Sequence, residues 1–209
     1  MVITADRPEF ADTAALLTRA RAGESAAFCQ LAAGHESRLL RQACGLTRDL
    51  SAAEDLVAET LVEAWRSLAR YNGACRFSTW LFAILLHRHQ KALRRARSRP
   101  IPLAALPSVE ADQRQQAQEN LPAPGFSPDE EAVRREAADK LRLAFEALPG
   151  RHQRVILLRF FEDASLPEIA TLLDCSVGTV KSRLHYALEK LRESQHGVNL
   201  SELWRDTGV

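Results

Sequence analysis

No run of about 18 consecutive apolar residues occurs in the chain, which excludes a membrane-spanning helix on length alone. Met1 to Arg21 also lacks the basic, then apolar, then small-residue order of a secretion signal, so the expected location is the cytoplasm. Cysteine is scarce. Cys29, Cys44, Cys75 and Cys175 are too few for a disulfide scaffold and contain no CxxC pair of the zinc-knuckle or redox kind, so we expect them reduced and mostly structural. His87 and His89, two residues apart, fall on different sides of a helix and make a poor shared metal site. No nucleophile, metal or phosphate-loop constellation stands out, so neither enzymatic activity nor a metal or other cofactor is expected. Neither sign of charge predominates: 28 Lys and Arg face 27 Asp and Glu, and such an even total can hide strongly uneven parts.

What is present is 46% hydrophobic and 26% charged residue content over 209 residues, a globular profile that rules out disorder throughout. This length permits one large domain or two small ones. Six of the nine prolines fall between Pro100 and Pro128, around the polar run Asp112 to Asn120, and mark a linker. On either side the chain is rich in Ala, Leu, Arg and Glu at helical spacing, with almost no β-branched alternation. The expectation is therefore all-α: two small helical domains joined by a flexible tether. Helix starts carry a Ser followed three residues later by a Glu, as in Ser51 with Glu54, Ser127 with Glu130, and Ser165 with Glu168, the capping-box pattern. Pro128 suits a first helical position, and Pro149 with Gly150 separates a helix ending near Leu148 from one starting near Arg151.

In the second half Val177, Val180, Leu184, Ala187, Leu188 and Leu191 form one apolar stripe at a 3.6-residue period. The opposite face presents Gly178, Thr179, Ser182 and Tyr186, flanked by Arg183 and His185. Small and hydrogen-bonding groups beside basic ones suit a DNA groove, although a solvated face of an ordinary helical hairpin would read similarly. A short helix from Leu166 to Leu173 and a turn from Asp174 to Ser176 precede it, which is helix-turn-helix spacing. Ser176 would cap the second helix, whose N-terminus would enter the major groove.

Leu148 to Arg192, LPGRHQRVILLRFFEDASLPEIATLLDCSVGTVKSRLHYALEKLR, closely resembles region 4 of bacterial sigma factors of the extracytoplasmic-function (ECF) group. SVGTVKSRL, Ser176 to Leu184, is its most specific part. Asp174 stands where the family usually has Gly, and Asp tolerates the left-handed conformation better than most residues. The resemblance implies binding of the promoter −35 element by Ser176, Gly178, Thr179, Lys181, Ser182, Arg183 and His185. Arg183 would meet a base edge or nearby phosphate, Thr179 and Ser182 bases or backbone, and Lys181 a phosphate. Lys181 sits near the edge of the apolar stripe, so its stem would have to snorkel outward.

The first half decides between readings, because similar helices occur in other regulators. Ala52 to Trp65, AAEDLVAETLVEAW, has Leu56, Val57, Leu61, Ala64 and Leu68 on one face and Asp55, Glu59, Val62 and Arg66 along the other. A solvated acidic first turn favoured by the helix dipole would look alike. The segment resembles region 2.2 of the same sigma factors, which implies that Asp55, Glu59, Thr60 and Val62 contact the clamp helices of the largest subunit of RNA polymerase; Ala58 replaces a usual Gln. Tyr71 to Leu81, YNGACRFSTWL, places aromatics around a loop leading into a helix capped by Ser78 or Thr79, with Trp80 assigned to the core and Tyr71 and Phe77 left open. His87 to Arg99 then holds six Lys or Arg and no acid, a run that attracts phosphates. Together these resemble regions 2.3 and 2.4, where a loop captures a base flipped from the −10 element. The implied −10 residues are Tyr71, Asn72, Phe77, Ser78, Thr79, His87, Arg88, Lys91, Arg94 and Arg95. Ala83 and His87 replace a frequent Arg and a common Asn, which leaves the −10 preference open.

Phe28 to Cys44 matches region 2.1, so the resemblance covers about residues 25 to 97 and 128 to 193. It implies an N-terminal extension (1–24), a region 2 domain (25–97), a Pro-rich linker (98–127), a region 4 domain (128–193) and a tail (194–209), in which Leu203 and Trp204 are expected to pack back. The implied function is a sigma initiation factor that binds core polymerase, through the clamp and the flap of the second-largest subunit, recognises −35 and −10 elements and promotes DNA opening. The resemblance also implies an anti-sigma partner. The alternative is a stand-alone helix-turn-helix repressor or activator, distinguished by its independence of polymerase.

Overall fold

The computed structural model describes residues 8–98 and 128–194, with side chains over 13–96 and 136–193. Among these residues there are eight α-helices, one short 3-10 turn and no strand, in two compact units. The first contains α1 (Pro8–Arg21), α2 (Ser25–Thr47), α3 (Leu50–Ser67), the 3-10 turn Leu68–Arg70 and α4 (Phe77–Ser98). The second contains α5 (Pro128–Ala147), α6 (Gly150–Phe161), α7 (Leu166–Leu172) and α8 (Val177–Ser194). The all-α, two-domain expectation agrees with this architecture. Residues 1–7, 99–127 and 195–209, which hold most of the Pro-rich segment, Ser127, Leu203 and Trp204, lie outside the described residues.

In the first unit α2, α3 and α4 pack on one another, and α1 packs on α2 and the 3-10 turn, so α1 joins the domain rather than standing apart from it. Phe28, Leu31, Leu39, Leu56, Leu81, Phe82, Leu85 and Leu86 fill the core, and Ala27, Ala43, Ala53 and Ala64, fully buried, let the helix backbones approach. Such burial stabilises by about 25 cal/mol per Å² of apolar surface removed from water. The link between α2 and α3 is two residues long. Arg48 takes a left-handed φ of 58° and donates from its backbone N–H to the Cys44 carbonyl at 2.8 Å.

Asp49 caps α3, its Oδ1 accepting from the Ala52 N–H at 2.7 Å. Ser51 was expected to do this with Glu54. The carboxylate two residues earlier wins because it starts the helix two residues sooner, which places Ser51 inside the first turn. α4 likewise starts before its expected cap: Trp80 N–H donates to the Arg76 carbonyl at 3.0 Å, leaving Ser78 and Thr79 within the first turn.

In the second unit α8 packs against α5, α6 and α7. Val180, Leu184, Ala187, Leu188 and Leu191 of the expected stripe are buried with Val155, Leu158 and Ile169. Val177 is the exception at 39% exposure, since it opens the helix before the packed turns begin. The capping box at α7 forms as expected, Ser165 N–H donating to Glu168 Oε2 at 2.7 Å and Glu168 N–H to Ser165 Oγ at 3.4 Å. Gln153 Nε2 donates to the Phe145 carbonyl at 2.9 Å and so satisfies the end of α5.

Candidate nucleic-acid interface

The turn between α7 and α8 is held by its backbone. Asp174 adopts φ 48°, the left-handed conformation that a Gly would reach without strain, and Cys175 N–H donates to the Ala170 carbonyl at 3.0 Å. Ser176 then caps α8, its Oγ accepting from the Thr179 N–H at 3.1 Å and lying 2.9 Å from Thr179 Oγ1. These contacts aim the first turn of α8 outward.

Gly178, Lys181, Ser182, His185 and Tyr186 of α8 are exposed, with Thr179 and Arg183 half-buried beside them. Lys181 is therefore clear of the apolar stripe. A Cβ on Gly178 would meet Ser176 Oγ at 3.7 Å, an ordinary contact, so nothing in the fold demands Gly there; its effect is to leave the outer face low. Arg183 Nη1 lies 3.8 Å from Cys175 Sγ, which tethers the guanidinium near the turn while its remaining donors are available to a partner.

Behind this face lies His152 of α6, a residue that the sequence reading passed over. It is 7% exposed and its ring centroid is 4.7 Å from that of Tyr186. Burial, followed by the nearby Arg151 and Arg183 charges, holds its pKa below the ordinary value. A neutral imidazole thus supports the exposed side of α8. Only helix-pair geometry reveals it.

In the first unit, Asp55, Ala58, Glu59 and Val62 are exposed along α3. Thr60 is fully buried and its Oγ1 donates to the Leu56 carbonyl at 2.7 Å, so it cannot touch a partner as expected. On α4, His87, Arg94 and Arg95 are exposed and Lys91 is half-buried. Arg88, expected in an unopposed basic run, pairs instead with α3: Nη2 to Glu59 Oε2 at 2.5 Å and Nη1 to Glu63 Oε2 at 4.0 Å. One residue assigned to DNA and one assigned to polymerase thus bind each other.

The loop before α4 also departs from expectation. Tyr71 (7% exposed), Phe77 (4%) and Thr79 (1%) are buried and have no free surface for a base, whereas Trp80, expected in the core, is half-buried. The rings form one cluster: Tyr71 to Phe77 at 5.5 Å, Tyr71 to Trp80 at 5.2 Å, Phe77 to Trp80 at 5.6 Å, and His35 of α2 to Phe77 at 5.6 Å. Tyr71 OH donates to the Cys75 carbonyl at 2.7 Å, and burial pushes its pKa up to about 12. Asn72 is exposed, its Oδ1 accepting from the Ala74 N–H at 3.0 Å, and Gly73 takes φ 76°, open to glycine without strain. The aromatics build the loop, and Asn72 to Ala74 form its outer surface.

All four cysteines are free, with Cys29 exposed and Cys75 buried. Among the described residues no helix is long and apolar enough to cross a membrane.

Residues 31–99 match the family described as Sigma-70 region 2, and residues 144–193 match Sigma-70, region 4. The chain is 33% identical to the ECF RNA polymerase sigma factor SigL of Mycobacterium tuberculosis, over 85% of this chain and 94% of that one. It is 28% identical to the RNA polymerase sigma-H factor of Pseudomonas aeruginosa, over 84% of this chain and 90% of that one. Among solved structures, CnrH in complex with the cytosolic domain of CnrY superposes with a TM-score of 0.54 at 25% identity, covering 93% of this chain and 99% of CnrH. The sigma factor RpoE of Bartonella quintana, in complex with the anti-sigma factor NepR, shares the fold with a TM-score of 0.50 at 23% identity, covering 80% of this chain and 95% of that one.

Proposed function

The chain belongs to the ECF sigma factors of bacterial RNA polymerase, and from that premise we propose that it binds core polymerase in the cytoplasm, reads −35 and −10 promoter elements and promotes DNA opening. The observation that carries the promoter reading is α8. Its inner side is buried while Gly178, Lys181, Ser182 and His185, with Arg183 beside them, stand out from a helix whose first turn is capped by Ser176. In a major groove Arg183 would reach a base edge or phosphate, Ser182 and Thr179 would hydrogen-bond bases or backbone, and Lys181 would meet a phosphate.

For the −10 element, the exposed and half-buried members of the original set are Asn72, Ser78, His87, Lys91, Arg94 and Arg95, with Arg88 tied to α3. Asn72 and the loop around it would receive an unstacked base, and the α4 cations would hold the backbone. Neither task needs catalysis by the chain. Asp55, Glu59 and Val62 on α3 would meet the polymerase clamp, the second unit would meet the flap, and an anti-sigma factor would cover these surfaces when the signal is absent; the complexes of the sigma factor RpoE and of CnrH support such regulation.

The test is charge reversal on α3. Asp55→Arg with Glu59→Arg is expected to weaken binding of labelled core polymerase, since juxtaposed like charges cost on the order of several kcal/mol. Unchanged affinity in the folded variant would remove the clamp assignment.

A further inference from the structure

α1 precedes the residues that match the sigma family, and the sequence gives it no task. It nevertheless reaches the loop assigned to the −10 base. Arg21, its last residue, donates from Nη2 to the Tyr71 backbone carbonyl 50 residues away, and its guanidinium carbon lies 5.9 Å from the centre of the Tyr71 ring. Tyr71 is also the pin of that loop: its ring is buried in the aromatic cluster and its hydroxyl closes on the Cys75 carbonyl at 2.7 Å. One cation therefore holds the carbonyl and the ring of the residue from which Asn72 to Ala74 project.

α1 is itself fixed. Arg19 forms an ion pair with Glu24 across the turn in which Gly23 has φ 96°, and Ala20 is buried. The guanidinium thus comes from a packed helix rather than from a loose terminus. A hydrogen bond from a charged donor is stronger than a neutral one, and a planar cation beside an aromatic ring adds a second attraction.

On the strength of the reading above, we propose that Arg21 is a positioning residue for the base-capturing loop: it fixes Tyr71 and so sets how Asn72 to Ala74 are presented to an unstacked −10 base. It does not touch the base. Order already present in the free protein need not be imposed on the loop when the base arrives, so the effect falls on opening rather than on recruitment.

The experiment compares full-length wild type, Arg21→Ala and Arg21→Lys with core polymerase on a promoter carrying 2-aminopurine in its −10 element. Arg21→Ala should slow the fluorescence rise by about 10- to 100-fold, the range expected for loss of one hydrogen bond from a charged donor. Core affinity and retention on a duplex −35 fragment should not change. Arg21→Lys can still donate to the carbonyl but lacks the planar face, so it should recover part of the rate.

Opening at the wild-type rate by folded Arg21→Ala would overturn the proposal. So would parallel losses of opening, core affinity and melting temperature, because Arg21 would then serve the fold alone. Should the alanine variant fail to fold, folded Arg21→Lys decides, and full wild-type opening in it would count against the proposal. A wild type that opens no promoter would overturn the functional reading as well, whereas normal wild-type opening with an unaffected alanine variant overturns only the role of Arg21.

Discussion

Arg183 is the residue on which the −35 reading is most exposed to test. Its half-buried stem rests by the turn near Cys175, and its guanidinium is the most versatile donor on the outward side of α8. Arg183→Ala should lower −35-dependent initiation by about 10- to 100-fold, as loss of a good base contact does, with core binding intact. Loss of core binding in a titration would instead give Arg183 a structural role. His152 supplies a pH signature. Its folded pKa lies below its ordinary value, so protonation favours the unfolded chain: its contribution to stability is present above the ordinary value of 6.5 and is lost as pH falls through the lower folded value. His152→Phe keeps a ring against Tyr186 and cannot be protonated. Hydrogen exchange of α8 amides should therefore show the variant gaining protection relative to wild type as pH falls below 6.5; a pH-independent difference would show that the titration of His152 does not matter. Thr60 shows what residue reading can reach by itself. Its spacing of four from both Leu56 and Ala64 places it on the buried stripe, and only the family resemblance had drawn it to the partner face.

At the scale of elements, local chemistry and periodicity set most helices, and the departures have physical causes. The buried face of α8 was legible from Val180 onward because each residue repeats at the helical period against one core. The α3 cap was not, because Asp49 and Ser51 are both good caps and sequence does not say which residue starts the helix. Asp49→Ala should destabilise the first unit by about 1 kcal/mol and Ser51→Ala by much less, measured by denaturant unfolding. Equal effects would contradict the cap assignment. The Arg88 pairs with Glu59 and Glu63 lay beyond any pattern in one helix, since 29 residues separate Arg88 from Glu59. Exposed in part, with Glu59 side-chain exposure at 55%, this pair contributes modestly to stability, and a polymerase surface competing for Glu59 would return Arg88 to the basic side of α4. The aromatic loop reversed expectation for a related reason. Tyr71 and Phe77 turn inward because the chain doubles back through Gly73, a path that hydrophobic spacing does not encode.

For the whole molecule, an even charge total conceals an acidic face on α3 and cations along α4 and α8, which is the division expected of a chain that meets both a protein and a polyanion. The chain by itself should bind promoter fragments weakly in a mobility-shift assay and gain specificity with core polymerase, which would supply much of the nonspecific hold on DNA. A repressor or activator using the same helix-turn-helix would bind its site without polymerase. The decisive measurement is run-off transcription by bacterial core polymerase, with and without this chain, on a genomic fragment library with sequencing of the transcript starts. New starts that share paired −35 and −10 motifs are the expected result. Specific DNA binding by the chain alone, with no new starts when core is added, would contradict it.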